Sequence, residues 1–127
     1  MPTKEEIIAT VKNYAASHSA GDIDAIAALF APDAVVADPV HEPAHVGRDA
    51  IRTFFAGTHE MVDSMVLEVT GPIRSVARYA AVPLRAVSTI GGAKVAVDIV
   101  DVFTFEENGL IGDMKAYWDP QGITPVD

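Results

Sequence analysis

The chain lacks cysteine entirely, which excludes a disulfide framework, a thiolate nucleophile and every cysteine-ligated metal site. It is also poor in positive charge, because 9 Lys and Arg stand against 18 Asp and Glu and the formal net charge is −9. A surface this acidic repels phosphate backbones and anionic lipid heads, so we expect no nucleic-acid or membrane partner. The same balance favours a small uncharged ligand over an anionic one.

Long hydrophobic runs are missing as well. The longest, residues 25–31, falls far short of the ~20 residues that a membrane span needs. The N-terminus shows neither a basic region nor an apolar stretch behind it, so we expect no secretory signal and a soluble cytoplasmic protein. Half of the 127 residues are hydrophobic, which predicts a single domain over residues 1–127 that folds without disulfide or metal support.

Helical periodicity marks the first part of the chain. Residues 3–6 fit a capping box, and the apolar stripe of a first helix follows at helical spacing: Ile7, Val11, Tyr14, Ala15 and His18. A second helix capped by Asp22 is predicted to carry apolar residues inward, through Phe30, until Pro32 stops it. A third helix is predicted over residues 48–59.

After the third helix the hydrophobic period falls to two. Strands are predicted at residues 65–70, 73–89, 94–105 and 110–118, joined as an antiparallel meander, with a short earlier strand at 34–38. Because proline inside a sheet is confined to edges and bulges, we expect Pro83 to bend its strand. This order indicates an α+β fold in which three helices pack in a strongly curved, mostly antiparallel sheet.

The strand predicted at residues 94–105 is largely apolar on both faces. One face alternates from Val95 to Phe105, and the other carries Ala96, Asp98, Val100 and Val102. The helices cover only one face of such a sheet, so we expect a second copy of the chain to cover the other, giving a homodimer.

The run His41-Glu42-Pro43-Ala44-His45 matches the letters of the H-E-x-x-H zinc motif. That motif requires both histidines on one face of a helix, and the prolines in and before this run favour a loop. We therefore expect no metal site here, and no cofactor-binding motif occurs elsewhere.

Three polar residues fall on the apolar sides of three different elements. Tyr14 lies in the first helical stripe, Asp38 ends the strand at 34–38, and Asp101 sits between apolar neighbours on a strand face. Each also has a plain structural interpretation: a core tyrosine, a turn-initiating aspartate, and an aspartate paired with an arginine. The candidate arginines are Arg74, Arg78 and Arg85.

Considered together, the three suit proton transfer next to a carbonyl group. One carboxylate would act as the base, and two neutral donors would stabilise an enolate oxygen. A buried carboxyl group is costly as an anion, so Asp101 can stay protonated and donate. His18 is interpreted either as a core histidine or as an acid–base group, and Trp118 as core or pocket wall.

The chain resembles the steroid Δ5-isomerase (ketosteroid isomerase) branch of the nuclear-transport-factor-2-like (NTF2-like), or SnoaL-like, superfamily, over about residues 5–119. The matching segments are Tyr14 and residues 20–26, 33–39, 47–51, 97–103 and 114–118.

This resemblance implies a cone-shaped homodimeric domain that works without a cofactor. It implies that Asp38 transfers the C4 proton of a Δ5-3-ketosteroid to C6, while Tyr14 and a protonated Asp101 form the oxyanion hole at the 3-oxygen. Substrate-binding positions carried over from the resemblance are Phe54, Phe55, Val82, Leu84, Met114 and Trp118. The chain departs from some relatives in having Phe30 and Phe55 where they have supporting tyrosines.

Two other functions remain open at this stage. One is a different enzyme of the same shape, namely a polyketide cyclase, a dehydratase or an epoxide hydrolase. The other is a non-catalytic module that binds a hydrophobic ligand.

Overall fold

Three helices and eight strands make up the protein in the computed structural model, which describes all 127 residues. The helices are α1 (Lys4–Ala20), α2 (Ile23–Ala28) and α3 (Arg48–Glu60). The strands are β1 (Phe30–Ala37), β2 (His45–Val46), β3 (Ser64–Val69), β4 (Arg74–Val76), β5 (Tyr79–Ile90), β6 (Ala93–Phe105), β7 (Ile111–Tyr117) and β8 (Thr124–Val126).

The first helix begins and ends as its sequence predicts. The backbone N–H of Glu6 donates to the Thr3 hydroxyl at 3.1 Å, and the N–H of Thr3 donates to the Glu6 carboxylate at 2.9 Å. Gly21 ends the helix in the left-handed conformation, with φ of 67°, which glycine adopts without strain. All five residues of the predicted stripe are buried.

The second helix is shorter than predicted, and its expected extension to Pro32 is wrong. It ends at Ala28, and β1 begins at Phe30. The N–H of Ile111 donates to the carbonyl of Leu29 at 2.9 Å, so pairing with β7 draws this segment into the sheet. Pro32 lies exposed where the β1–β7 register shifts, and such irregularities tolerate proline.

The sheet is curved and runs in the order β2-β1-β7-β6-β5-β3, with β4 also paired to β5 and β8 to β6. Every pair is antiparallel except β1 with β7. The mostly antiparallel α+β fold is therefore confirmed, and the predicted meander is present as the consecutive antiparallel pairs β3–β5, β5–β6 and β6–β7. No helix combines the length and the apolar character that a bilayer crossing requires.

The segment predicted as one strand over 73–89 forms two strands, β4 and β5, joined by a turn at Ala77, whose φ is 51°. The pairing of β5 with β6 runs through Pro83 without a register shift, and the bend expected at Pro83 stays a prediction. Pro83 falls between the residues that pair with β4 and those that pair with β3. Its carbonyl accepts from the N–H of Thr70 at 3.0 Å, and its missing N–H interrupts neither ladder.

Candidate active site

A cavity of about 310 Å³ opens between the helices and the inner face of the sheet. This volume lies at the lower end of the range typical of small-ligand sites, roughly 300–1,000 Å³. Of its 20 lining residues, 15 are hydrophobic, so the cavity suits a largely apolar ligand. Its polar side chains are the Tyr14 hydroxyl, His18, Asp38, Thr58, Ser88 and Asp101. The three residues that the sequence singles out thus line one cavity.

Tyr14 projects from α1 into a cage of rings. Its ring meets those of His18, Phe103, Phe30 and Phe55 edge-on, with centroid distances from 4.6 to 6.3 Å. Burial raises the pKa of Tyr14 well above its usual value, and the charges of Asp101 and Asp38 act in the same direction. The hydroxyl therefore stays protonated at neutral pH and is a hydrogen-bond donor. None of the surrounding rings carries a phenol.

Asp101 lies on the inner face of β6, between Val82 of β5 and Ala116 of β7. It is 3% exposed, and its Oδ1 has no hydrogen-bond partner. Arg85 is bound to Asp98 at 2.9 Å, and no salt bridge reaches Asp101, so the arginine-paired interpretation is wrong. Burial raises the pKa of Asp101 well above its usual value, and the charge of Asp38 raises it further. Both effects favour the protonated form of this carboxyl group.

Asp38 follows directly after β1 and is half-buried. Its Oδ1 accepts a 2.6 Å hydrogen bond from Nε1 of Trp118. Burial raises the pKa of Asp38, whereas the Trp118 bond and the nearby His45 lower it. Two coupled carboxyl groups in one cavity do not both ionise readily. Asp38 has a donor that stabilises its anion and Asp101 has none, so ionisation is favoured at Asp38 over Asp101.

Half of the binding positions carried over from the resemblance reach the cavity. Phe54, Phe55 and Trp118 line it. The other three, Val82, Leu84 and Met114, do not line the cavity; they are at most 1% exposed within the packed core. On β5 the cavity is lined only from Ala86 onward, because the preceding inward side chains are covered by core packing.

Sequence reasoning did not foresee the partner of His18. Nδ1 of His18 lies 2.9 Å from Nε2 of His59, and the two rings stack at 5.2 Å. Burial lowers the pKa of His18 to about 3, with His59 adding to the effect, so His18 is neutral at neutral pH. The partner is a histidine and not an aspartate, so the His–Asp pairing of a dehydratase does not form at His18.

The outer part of the cavity was also missed, although the sequence holds a signal for it. Thr58 lies one helical turn beyond Phe54 on the cavity side of α3, and Met61 lies about one turn further, just past the end of the helix. On β5, Ser88 and Ile90 continue the alternation of side chains that face the cavity. Helical periodicity extended past Phe54 and strand alternation extended past Ala86 would have found them.

The run from His41 to His45 is not helical, as the sequence predicts. It crosses a turn and enters the two-residue strand β2. The ring of His45 stacks on Phe54 at 4.0 Å, which places it beside the cavity wall.

Comparison with known proteins agrees with this architecture. Residues 11–114 match the family described as SnoaL-like domain. The chain is 36% identical over 123 residues to the steroid Delta-isomerase of Nocardioides simplex, covering 95% of this chain and 98% of the relative. The solved structure of SalBIII, an epoxide hydrolase/cyclase-like enzyme in pyran ring formation in the polyether salinomycin, matches with a TM-score of 0.89 at 27% identity, covering 99% of this chain and all of that one. The chain therefore belongs to the SnoaL-like family and has its NTF2-like fold.

Proposed function

We propose that this protein is a steroid Δ5-isomerase, which converts a Δ5-3-ketosteroid to the conjugated Δ4-3-ketosteroid. The observation that carries the proposal is the buried Asp101, which has no cationic partner and lines the same apolar cavity as Tyr14 and Asp38. The 36% identity to an isomerase over nearly the full chain supports the reaction class.

The reaction begins with the Asp38 carboxylate, which takes the proton from C4. The C–H electron pair forms the C3=C4 double bond, and the carbonyl pair moves onto the 3-oxygen, which gives a dienolate. Asp38 then returns the same proton to C6, so that C4=C5 forms and the C3 carbonyl is restored. Atoms and electrons balance within the substrate, and the proposed reaction uses no cofactor.

Tyr14 and protonated Asp101 donate hydrogen bonds to the 3-oxygen as its charge develops. Tyr14 and Asp101 are both neutral before the reaction, so neither adds a buried charge that would need a partner in the empty site. In an apolar, water-poor cavity such donors stabilise an oxyanion more strongly than water does.

Substitution Asp38→Asn tests the assignment, because it keeps the shape of the side chain and removes the base. We expect turnover of 5-androstene-3,17-dione, followed by conjugated-enone absorbance, to fall at least about a hundredfold. Asp33→Asn, at an exposed aspartate of the same strand, is the matched control and leaves turnover unchanged. Parental activity in Asp38→Asn overturns the assignment.

A second candidate is epoxide opening or cyclisation. The likeness to SalBIII favours it, and a carboxylate beside a protonated carboxyl group offers the base and acid that such a step uses. Against it, Asp101 has no arginine partner, whereas a hydrolase relay of the Asp-Arg-Asp kind needs one. If the protein turns over an epoxide or a lactone but no ketosteroid, it is another enzyme of this shape. If it binds these compounds and turns over none of them, it is a ligand-binding module.

The proposal includes a homodimer formed through the outer face of the sheet. Val100 of β6 is 43% exposed and lies in register with Tyr117 of β7, which is 50% exposed, and with Pro83 of β5. An apolar patch of this kind on a small domain favours burial against a second copy.

A further inference from the structure

The cavity extends well beyond the catalytic residues. On the inner face of β6 it is lined from Asp101 to Val95, six residues along the strand. At about 3.3 Å per residue, this face spans about 20 Å. A ligand anchored at Asp101 therefore has a long apolar wall in front of it.

A bare steroid nucleus covers only part of that wall. With carbon–carbon bonds of about 1.5 Å, four fused rings measure about 9 Å from C3 to the far edge of ring D. A hydrogen bond from Asp101 to the 3-oxygen adds about 3 Å. Ring D then ends near Val97 of β6. Val97 pairs with Ala86 of β5, and Ala86 pairs with Leu67 of β3. All three line the cavity, and none offers a donor to an oxygen at C17.

Beyond this level three exposed apolar side chains surround the cavity opening. Met61 follows α3 and is 76% exposed, Ile90 ends β5 and is 49% exposed, and Ile123 precedes β8 and is 44% exposed. We call these three residues the apolar mouth. Exposed apolar residues that converge on a cavity from separate elements indicate a surface that a ligand covers.

Resting on the proposed function, we propose that the preferred substrate is a Δ5-3-ketosteroid that keeps a hydrocarbon side chain on C17, and that this side chain lies against the apolar mouth. The side chain continues the long axis of the rings from Val97 toward Val95 and Ile90. It buries apolar surface of its own together with that of the apolar mouth, which favours binding.

A series of substrates that differ only at C17 tests this inference: 5-androsten-3-one, 5-pregnen-3-one, which carries an ethyl group, and 5-cholesten-3-one. We expect kcat/KM to rise along the series, by about tenfold for every two methylene groups that become fully buried. The reference substrate is 5-androstene-3,17-dione. If no ketosteroid is isomerised, the proposed function fails; if the reference is isomerised but kcat/KM stays flat or falls along the series, only the side-chain inference fails.

Variants of the mouth locate the effect. Met61→Ser and Ile123→Ser should lower kcat/KM for 5-cholesten-3-one more than for 5-androsten-3-one, so the ratio between the two substrates shrinks. Val76→Ser replaces an apolar residue of similar exposure, 72%, that does not line the cavity, and it leaves the ratio unchanged. An unchanged ratio in both mouth variants overturns the placement of the side chain.

Discussion

The indole N–H of Trp118 donates a 2.6 Å hydrogen bond to Oδ1 of Asp38, across 80 positions of sequence. Asp38 follows β1 and Trp118 follows β7, and these strands pair in parallel with Ala37 opposite Lys115. Both side chains consequently leave the sheet at the same end. The register of one strand pair thus fixes the orientation of the proposed base and favours its ionised form.

Substitution Trp118→Phe should therefore change both the rate and its pH dependence. Without this bond the Asp38 carboxylate is no longer held in place beside the substrate, and a misplaced base costs at least about tenfold in kcat. This bond lowers the pKa of Asp38, so its removal raises that pKa and moves the acidic limb of the kcat/KM profile to higher pH. Tyr79→Phe, at an exposed aromatic residue, is the control. If Trp118→Phe lowers the rate but the acidic limb of the kcat/KM profile stays at the same pH, Trp118 only packs against the ligand.

Asp101 should bind a phenolic ligand as a neutral donor. Replacement by Asn keeps a neutral donor of similar size, whereas replacement by Leu removes every donor. We expect Asp101→Leu to weaken the binding of equilenin at least about tenfold and Asp101→Asn to weaken it much less, as measured by fluorescence titration. Equal affinities of the Leu variant and the parent would show that Asp101 does not contact the ligand oxygen.

His18 should make the fold less stable in acid. Its folded-state pKa is about 3, below the usual 6.5, so between these values the unfolded chain binds a proton that the folded chain excludes. The free energy of unfolding is unaffected above pH 6.5 and falls as the pH drops toward 3, by up to about 1.4 kcal/mol per pH unit. Urea unfolding at several pH values measures this slope.

His18→Phe, which keeps a flat ring among its aromatic neighbours, should reduce that slope. His41→Gln, at an exposed loop histidine, should leave it as it is. Identical slopes in His18→Phe and the parent would contradict a buried neutral His18.

The homodimer is tested at Val100. Val100→Asp places a charge in the middle of the apolar outer face, and we expect light scattering at micromolar concentration to show a dimer for the parent and a monomer for the variant. Val76→Asp introduces the same charge on β4, away from that patch, and stays dimeric. A monomeric parent protein refutes the dimer.

Much of the site could be predicted because local pattern determines which way a side chain faces. Strand alternation placed Asp101 inward, and helical spacing placed Tyr14 in the buried stripe of α1, where the structure has both. Such short-range periodicity depends only on backbone geometry.

Other features depend on elements distant in sequence. The early start of β1 at Phe30 follows from pairing with β7, and the burial of Val82 and Leu84 away from the cavity follows from core packing over the near end of β5. Periodicity assigns a face to a residue, but it does not state what covers that face. The Trp118–Asp38 bond and the His18–His59 contact were missed for the same reason.

The position of β7 in the sheet also determines when the site can form during synthesis of the chain. This late strand is inserted between β1 and β6, which carry Asp38 at the end of one and Asp101 within the other. Until residues 111–118 emerge, the two carboxyl groups belong to separate, unjoined parts of a growing chain. The site is completed only once residues 111–118 have entered the sheet and brought both acids together.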